Sequence, residues 1–104
     1  MGSYRGRLDI VADILRVASQ RAKKTQIMYQ ANLSYKLLNR YLTEIRKAYL
    51  VSFERTERCY MLTSKGQEFL EKYKDYSRHN KHVEKSLNDI RVKRKVLEEL
   101  CSNR

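Results

Sequence analysis

The chain is 104 residues long, room for one domain of ordinary size, and no apolar run approaches a membrane span. Its 23 Lys and Arg against 12 Asp and Glu give a formal charge of +11, which points to a polyanionic partner. At 41% hydrophobic residues the core must be small, and the two cysteines, Cys59 and Cys101, make neither a disulfide framework nor a zinc motif.

Leu8, Val11, Ile14, Leu15 and Ala18 recur at helical spacing, with Ile10 and Val17 widening the stripe, and predict a first helix over residues 7–20. Arg21 to Lys24 form a basic connector. Thr25 is the expected N-cap of a short second helix, in which Ile27 and Met28 face inward. Asn32-Leu33 make the turn, and Ser34 caps a third helix running to Lys47. At about 100° per residue, Leu38, Tyr41, Leu42 and Ile45 of this helix share one arc. Lys36, Arg40, Thr43 and Lys47 fall opposite, flanked by Asn39. The first set packs on the preceding helices and the second points outward.

Two strand-like runs follow, Tyr49 to Glu54 and Cys59 to Thr63, separated by Arg55-Thr56-Glu57-Arg58. Val51 and Phe53 share one face, as do Tyr60 and Leu62. There is no Asn-Gly or Asp-Gly at the turn, so the alternation carries the hairpin reading. A basic helix followed by a hairpin with arginines at its tip is the layout of a winged helix-turn-helix. The expected fold is therefore mainly α with a small β-hairpin wing. It divides into a head over 1–66 and a C-terminal coiled-coil helix over 67–104.

The final helix is entered through Thr63-Ser64-Lys65-Gly66, and no Pro or further Gly interrupts it. Phe69, Tyr73, Tyr76, Asn80, Val83, Leu87, Ile90, Arg94, Leu97 and Cys101 alternate by four and three, a heptad seam that calls for a partner helix. An antiparallel homodimer pairs seam positions whose numbers sum to 170: Phe69 with Cys101, Tyr73 with Leu97, Tyr76 with Arg94, Asn80 with Ile90, Val83 with Leu87. A parallel pair would instead set Arg94 against Arg94.

Ala31-Asn32-Leu33-Ser34-Tyr35, Tyr41-Leu42 and Tyr60-Met61-Leu62-Thr63-Ser64-Lys65-Gly66 with Phe69-Leu70 resemble segments of the archaeal winged-helix proteins. With the heptad tail, the whole chain resembles the small basic 10a DNA-binding proteins of crenarchaea. The resemblance implies a chromatin-type homodimer joined by an antiparallel coiled coil, with a winged head at each end. One departure is Ala48, where such proteins often end helix three with a glycine.

His79 and His82 lack the further ligands a metal site needs. No phosphate loop or nucleophile pattern is present, so neither an enzyme nor a cofactor is expected. The leading reading is a dimeric protein of the cytoplasm and nucleoid that binds duplex DNA, either architectural or regulatory, with no small-molecule ligand. Tyr35, Lys36, Asn39 and Arg40 are expected at base edges or phosphates, and Lys47 on the backbone. Arg55 and Arg58 would hold the wing, and Lys23 and Lys24 would reach phosphate from the other side. The rival reading is a winged-helix protein-interaction module within a larger assembly.

Overall fold

The computed structural model describes residues 5–102. Its elements are α1 (Arg7–Ala18), α2 (Lys24–Gln30), α3 (Tyr35–Lys47), β1 (Val51–Glu54), β2 (Cys59–Leu62) and α4 (Ser64–Leu100). This is the expected order, mainly helical with one antiparallel hairpin.

At the start of α1 the Asp9 carboxylate accepts the N–H of Gly6 at 2.8 Å, satisfying a donor that the helix cannot use. Ile10, Val11, Ile14, Leu15 and Ala18 are buried, whereas Leu8, expected in the stripe, is 42% exposed. The helix ends at Ala18 rather than residue 20. Beyond it, Ala22 exchanges two backbone hydrogen bonds with Tyr60, at 3.1 and 2.7 Å. The connector is thus bridged to the hairpin. That bridge displaces the predicted start of α2: Lys23, not Thr25, is the N-cap.

Both ends of the following turn are hydrogen-bonded. Asn32 takes a left-handed φ of 54°, which its short polar side chain tolerates. The N–H of Leu33 then reaches the carbonyl of Met28 at 3.0 Å. Arg5 fastens this turn to α1, donating to the carbonyls of Ala31 (2.6 Å) and Asn32 (2.9 Å) while paired with Asp13 at 3.0 Å. Ser34 caps α3 as expected, its Oγ accepting the N–H of Leu37 at 3.2 Å.

Leu38, Tyr41, Leu42 and Ile45 are the buried residues of α3, as the wheel predicts. The left-handed residue that ends the helix is Tyr49 (φ 62°), one place beyond Ala48, which keeps a right-handed φ of −83°. The N–H groups of Tyr49 and Leu50 close back on Arg46 and Ile45 at 3.0 and 2.9 Å. This is the paired C-terminal closure that glycine usually makes. The departure expected at Ala48 therefore falls on Tyr49, whose Cβ carries the strain.

The hairpin pairs Val51 with Leu62 and Phe53 with Tyr60. The Phe53 and Tyr60 rings lie 5.0 Å apart, and Val51 and Tyr60 join the core. Thr63 Oγ1 accepts the N–H of Gly66 at 3.0 Å and donates to the carbonyl of Tyr49 at 2.6 Å. Lys65 donates to the carbonyl of Ala48 at 2.8 Å. The first turn of α4 is therefore tied to the end of α3.

The first compact unit extends past Gly66 to Tyr73, and the second begins at Lys74. Phe69 packs against the core cluster, and Tyr73 is buried, its hydroxyl donating to Asp9 and its ring 5.6 Å from the guanidinium of Arg16. These two residues, expected in a partner-facing seam, are used inside the head because α1 covers them. Tyr76, Val83, Leu87, Ile90 and Leu97 are exposed by 50–64%, and Asn80, Arg94 and Cys101 are exposed as well.

Candidate nucleic-acid interface

The packing of α3 decides which of its side chains are offered outward. With the Leu38–Ile45 face buried, Lys36, Arg40, Thr43 and Lys47 are exposed on the far side. The flank between that crest and the hairpin carries Tyr35, Asn39 and Arg46. Here a groove of about 490 Å³ opens, lined by Lys24, Asn39, Leu42, Thr43, Arg46, Lys47 and Tyr60. Among the described residues, no carboxylate lines it.

Aromatic rings hold two of its cations. The Lys24 ammonium sits 4.5 Å from the centre of the Tyr35 ring and 3.4 Å from its hydroxyl. The Arg46 guanidinium lies 5.6 Å from the centre of the Phe53 ring. A hydrogen bond from Asn39, aided by Lys24, pulls the Tyr35 phenol below its ordinary pKa. The ring contacts leave the charges on the groove wall while restricting the long side chains, which lowers the entropy lost on binding an anion.

A second cleft, of about 530 Å³, lies between the connector and the hairpin tip. Arg21, Lys23, Gln26, Thr56, Glu57, Arg58 and Cys59 line it. Arg21 and Arg58 both adopt left-handed backbone, at φ 58° and 53°. Both grooves are open and lined mainly by cationic and polar side chains, with Glu57 among them in the second.

The helices α2 and α3 with the hairpin match a known pattern: a family model described as winged helix-turn-helix fits residues 4–81. The chain belongs to the winged helix-turn-helix family. A curated relative, the uncharacterized protein MJ0290 of Methanocaldococcus jannaschii, is 37% identical over 78 residues. That match takes in 71% of this chain and only 35% of the relative's length. Among solved structures, Sso10a-2, a DNA-binding protein from Sulfolobus solfataricus, aligns with a TM-score of 0.73 at 21% identity. The alignment covers 96% of this chain and all of that one. A ZitR mutant from Lactococcus lactis aligns at 0.55 and 14% identity, over 96% of this chain and 77% of its own. At such identities the structural likeness speaks to the fold.

Within this winged helix-turn-helix, the predicted site residues divide into three groups. Lys24, Asn39 and Lys47 line the α3 groove, with Tyr35 against Lys24; Lys36 and Arg40 stand exposed on the crest beside it. Lys23 and Arg58 line the second cleft together, so Lys23 and Lys24, adjacent in sequence, serve different surfaces. Arg55 is exposed at the wing tip and lines neither. Sequence reasoning missed Arg46 and Arg21. Arg46 was findable: it follows Asn39 by seven residues and so shares its flank at about 100° per residue.

The wing tip has its own lock. The Glu54 carboxylate accepts the backbone N–H of Glu57 at 2.7 Å and of Thr56 at 2.8 Å. These bonds, the one from Glu57 first, hold its pKa below the ordinary 4.5. A depressed carboxylate pKa contributes stability above the unfolded value, and loses it as pH falls through the folded value. The wing turn is therefore expected to loosen only below about pH 4.5. Glu54→Gln should loosen it at neutral pH, read as reduced protection of the Thr56 and Glu57 amides in hydrogen exchange. Unchanged protection would show that the turn holds itself.

Proposed function

We propose that this chain binds duplex DNA as a homodimer, with α3 in the major groove and the wing against the flanking backbone. The observation that supports it most is the carboxylate-free groove between α3 and the wing, with Lys24, Arg46 and Lys47 on its walls and Lys36 and Arg40 on the adjoining crest. The DNA-binding description of Sso10a-2, whose alignment covers 96% of this chain, favours the same reading. Asn39 and Arg40 carry the donor patterns that read adenine and guanine. The spread of cations over both units favours a large sequence-independent share and an architectural role over strict site recognition. Binding, not catalysis, would be its task, and the nucleoid in the cytoplasm its place.

Arg40→Ala and Lys36→Ala test this directly. Each is expected to weaken duplex binding by roughly five- to tenfold, about 1–1.4 kcal/mol, in a fluorescence titration. Both side chains lie off the packed face, so unfolding should shift by no more than about 0.5 kcal/mol. Undiminished affinity in both variants would remove α3 from the interface.

The dimer reading rests on α4. Phe69 and Tyr73 are occupied in the head, so the seam left for a partner lies beyond Tyr73. An antiparallel register in which paired numbers sum to 177, rather than 170, uses every remaining position. It sets Tyr76 on Cys101, Asn80 on Leu97, Val83 on Arg94 and Leu87 on Ile90. Spin labels on Leu97→Cys, with Cys101→Ser and Cys59→Ser, separate the arrangements. In the 177 register the labelled sites lie 17 residues apart along the axis, about 26 Å; in the 170 register, 24 residues, about 36 Å. A parallel pair holds them at about 10 Å. The expected distance is the intermediate one, and a short distance or a monomer would end the antiparallel proposal.

A further inference from the structure

Beyond Tyr73, α4 carries a second feature that the seam does not use. Lys74, Arg78, Lys81 and Lys85 follow one another by four, three and four residues. At about 100° per residue they fall in one line along the helix, opposite Val83, Leu87 and Ile90. All four are exposed, and none makes an ion pair or side-chain hydrogen bond among the described residues. The acids of this stretch, Asp75 and Glu84, lie to either side of the line. Asp75 faces His79 at 3.7 Å, and Glu84 accepts from Asn80 at 3.4 Å. Further along the same line stand Asn88 and Val92, so the cations are confined to 74–85.

Like charges three and four residues apart repel and weaken a helix. The row of four therefore works against the helix carrying it, its repulsion eased only in part by Glu71, Asp75, Glu84 and Asp89 at three- and four-residue spacing, with which no ion pair forms, and a polyanion relieves the rest. We propose that this row is a second nucleic-acid contact, laid along the phosphate backbone of a duplex and independent of the head's groove. Its cations recur every 4.5–6 Å over about 16 Å of helix, while duplex DNA presents a charge about every 1.7 Å of its axis. Every cation thus has a phosphate within reach of its flexible side chain. An anionic membrane fits less well. Amphipathic helices enter bilayers by an apolar face flanked with cations, and here the apolar seam points the opposite way.

The proposal rests on the duplex-binding reading above, and the test keeps the two apart. In the full-length chain, Lys74→Gln, Arg78→Gln, Lys81→Gln and Lys85→Gln are combined. Gln is close to Lys and Arg in helix propensity, so α4 is retained, which circular dichroism verifies. A charge-matched control carries Lys72→Gln, Arg91→Gln, Lys93→Gln and Lys95→Gln, outside the row. The row variant should show a dependence of log affinity on log salt shallower by about 2–4 than the wild type, and the control a slope within about 1 of it. An unchanged slope in the row variant overturns the inference, as does an equal loss in the control, which would mark an effect of net charge alone. Loss of binding to phosphatidylserine-containing vesicles with the duplex slope unchanged overturns it in favour of a membrane surface. A wild-type chain that ignores duplex DNA sinks both readings. Indifference to Arg40→Ala and Lys36→Ala with a strong response to the row variant sinks only the head's.

Discussion

Gly66→Ala is expected to destabilise the head by about 2–4 kcal/mol and to lower its midpoint of thermal unfolding by roughly 10 °C or more. Gly66 lies in a helix with negative φ, so glycine is not needed there for its conformation. It is needed for space. A Cβ at this position would stand 2.2 Å from the carbonyl oxygen of Leu50 and 2.6 Å from Cδ1 of Leu62. The leucine can turn aside, but the Leu50 carbonyl is backbone, fixed by the closure of α3 and by the Thr63 N–H at 3.2 Å. Relief would require α4 to lift away from the end of α3, breaking the bonds of Thr63 and Lys65 to that segment. The better helix propensity of alanine returns only about 1 kcal/mol. Gly6→Ala is the natural control, since its Cβ would meet nothing closer than Asp9 Oδ2 at 3.6 Å. Equal midpoints for the two variants in a calorimetric scan would refute the steric argument.

That glycine was legible only as part of a motif, and the difference between legible and hidden features has a physical basis. The buried face of α3 could be read because Leu38, Tyr41, Leu42 and Ile45 repeat with the period of the element that holds them. The core-facing side of the hairpin, Val51 and Phe53 with Tyr60 and Leu62, followed from strand alternation in the same way. The start of α2 could not be read, because the Ala22–Tyr60 bridge that sets it joins residues far apart in sequence. The left-handed Tyr49 escaped because local preference puts glycine there, and the closure of α3 onto α4 overrides preference. Phe69 and Tyr73 continue the heptad without a break. Periodicity shows that a face is apolar; it does not say whether the covering helix belongs to the same chain. The candidate site divided similarly. The crest residues of α3 were legible from the wheel, whereas the meeting of Lys23 with Arg58 and Arg21 depends on how the connector lies beside the wing.

Duplex affinity is expected to fall roughly 250- to 1,000-fold between 50 and 200 mM salt if the head alone makes the contact. The estimate counts the groups the fold presents. Lys24, Arg46 and Lys47 line the α3 groove, Lys36 and Arg40 stand on its crest, and Lys23, Arg55 and Arg58 flank it at the connector and wing. Of these, about five on one head can face phosphates while others point toward bases or solvent. Each phosphate neutralised releases condensed counterions, so log affinity falls against log salt with a slope of about −4 to −5. Contacts along Lys74 to Lys85 would steepen it further. Hydrogen bonds to base edges alone would not produce such a slope, since they displace no counterions. A winged helix serving as a protein-docking module predicts something different again. Its cations would aid solubility, duplex binding would be weak at any salt, and a titration across that range would be nearly flat. A slope shallower than about −2 would therefore favour the docking module over the nucleic-acid reading, whatever the affinity at a single salt concentration.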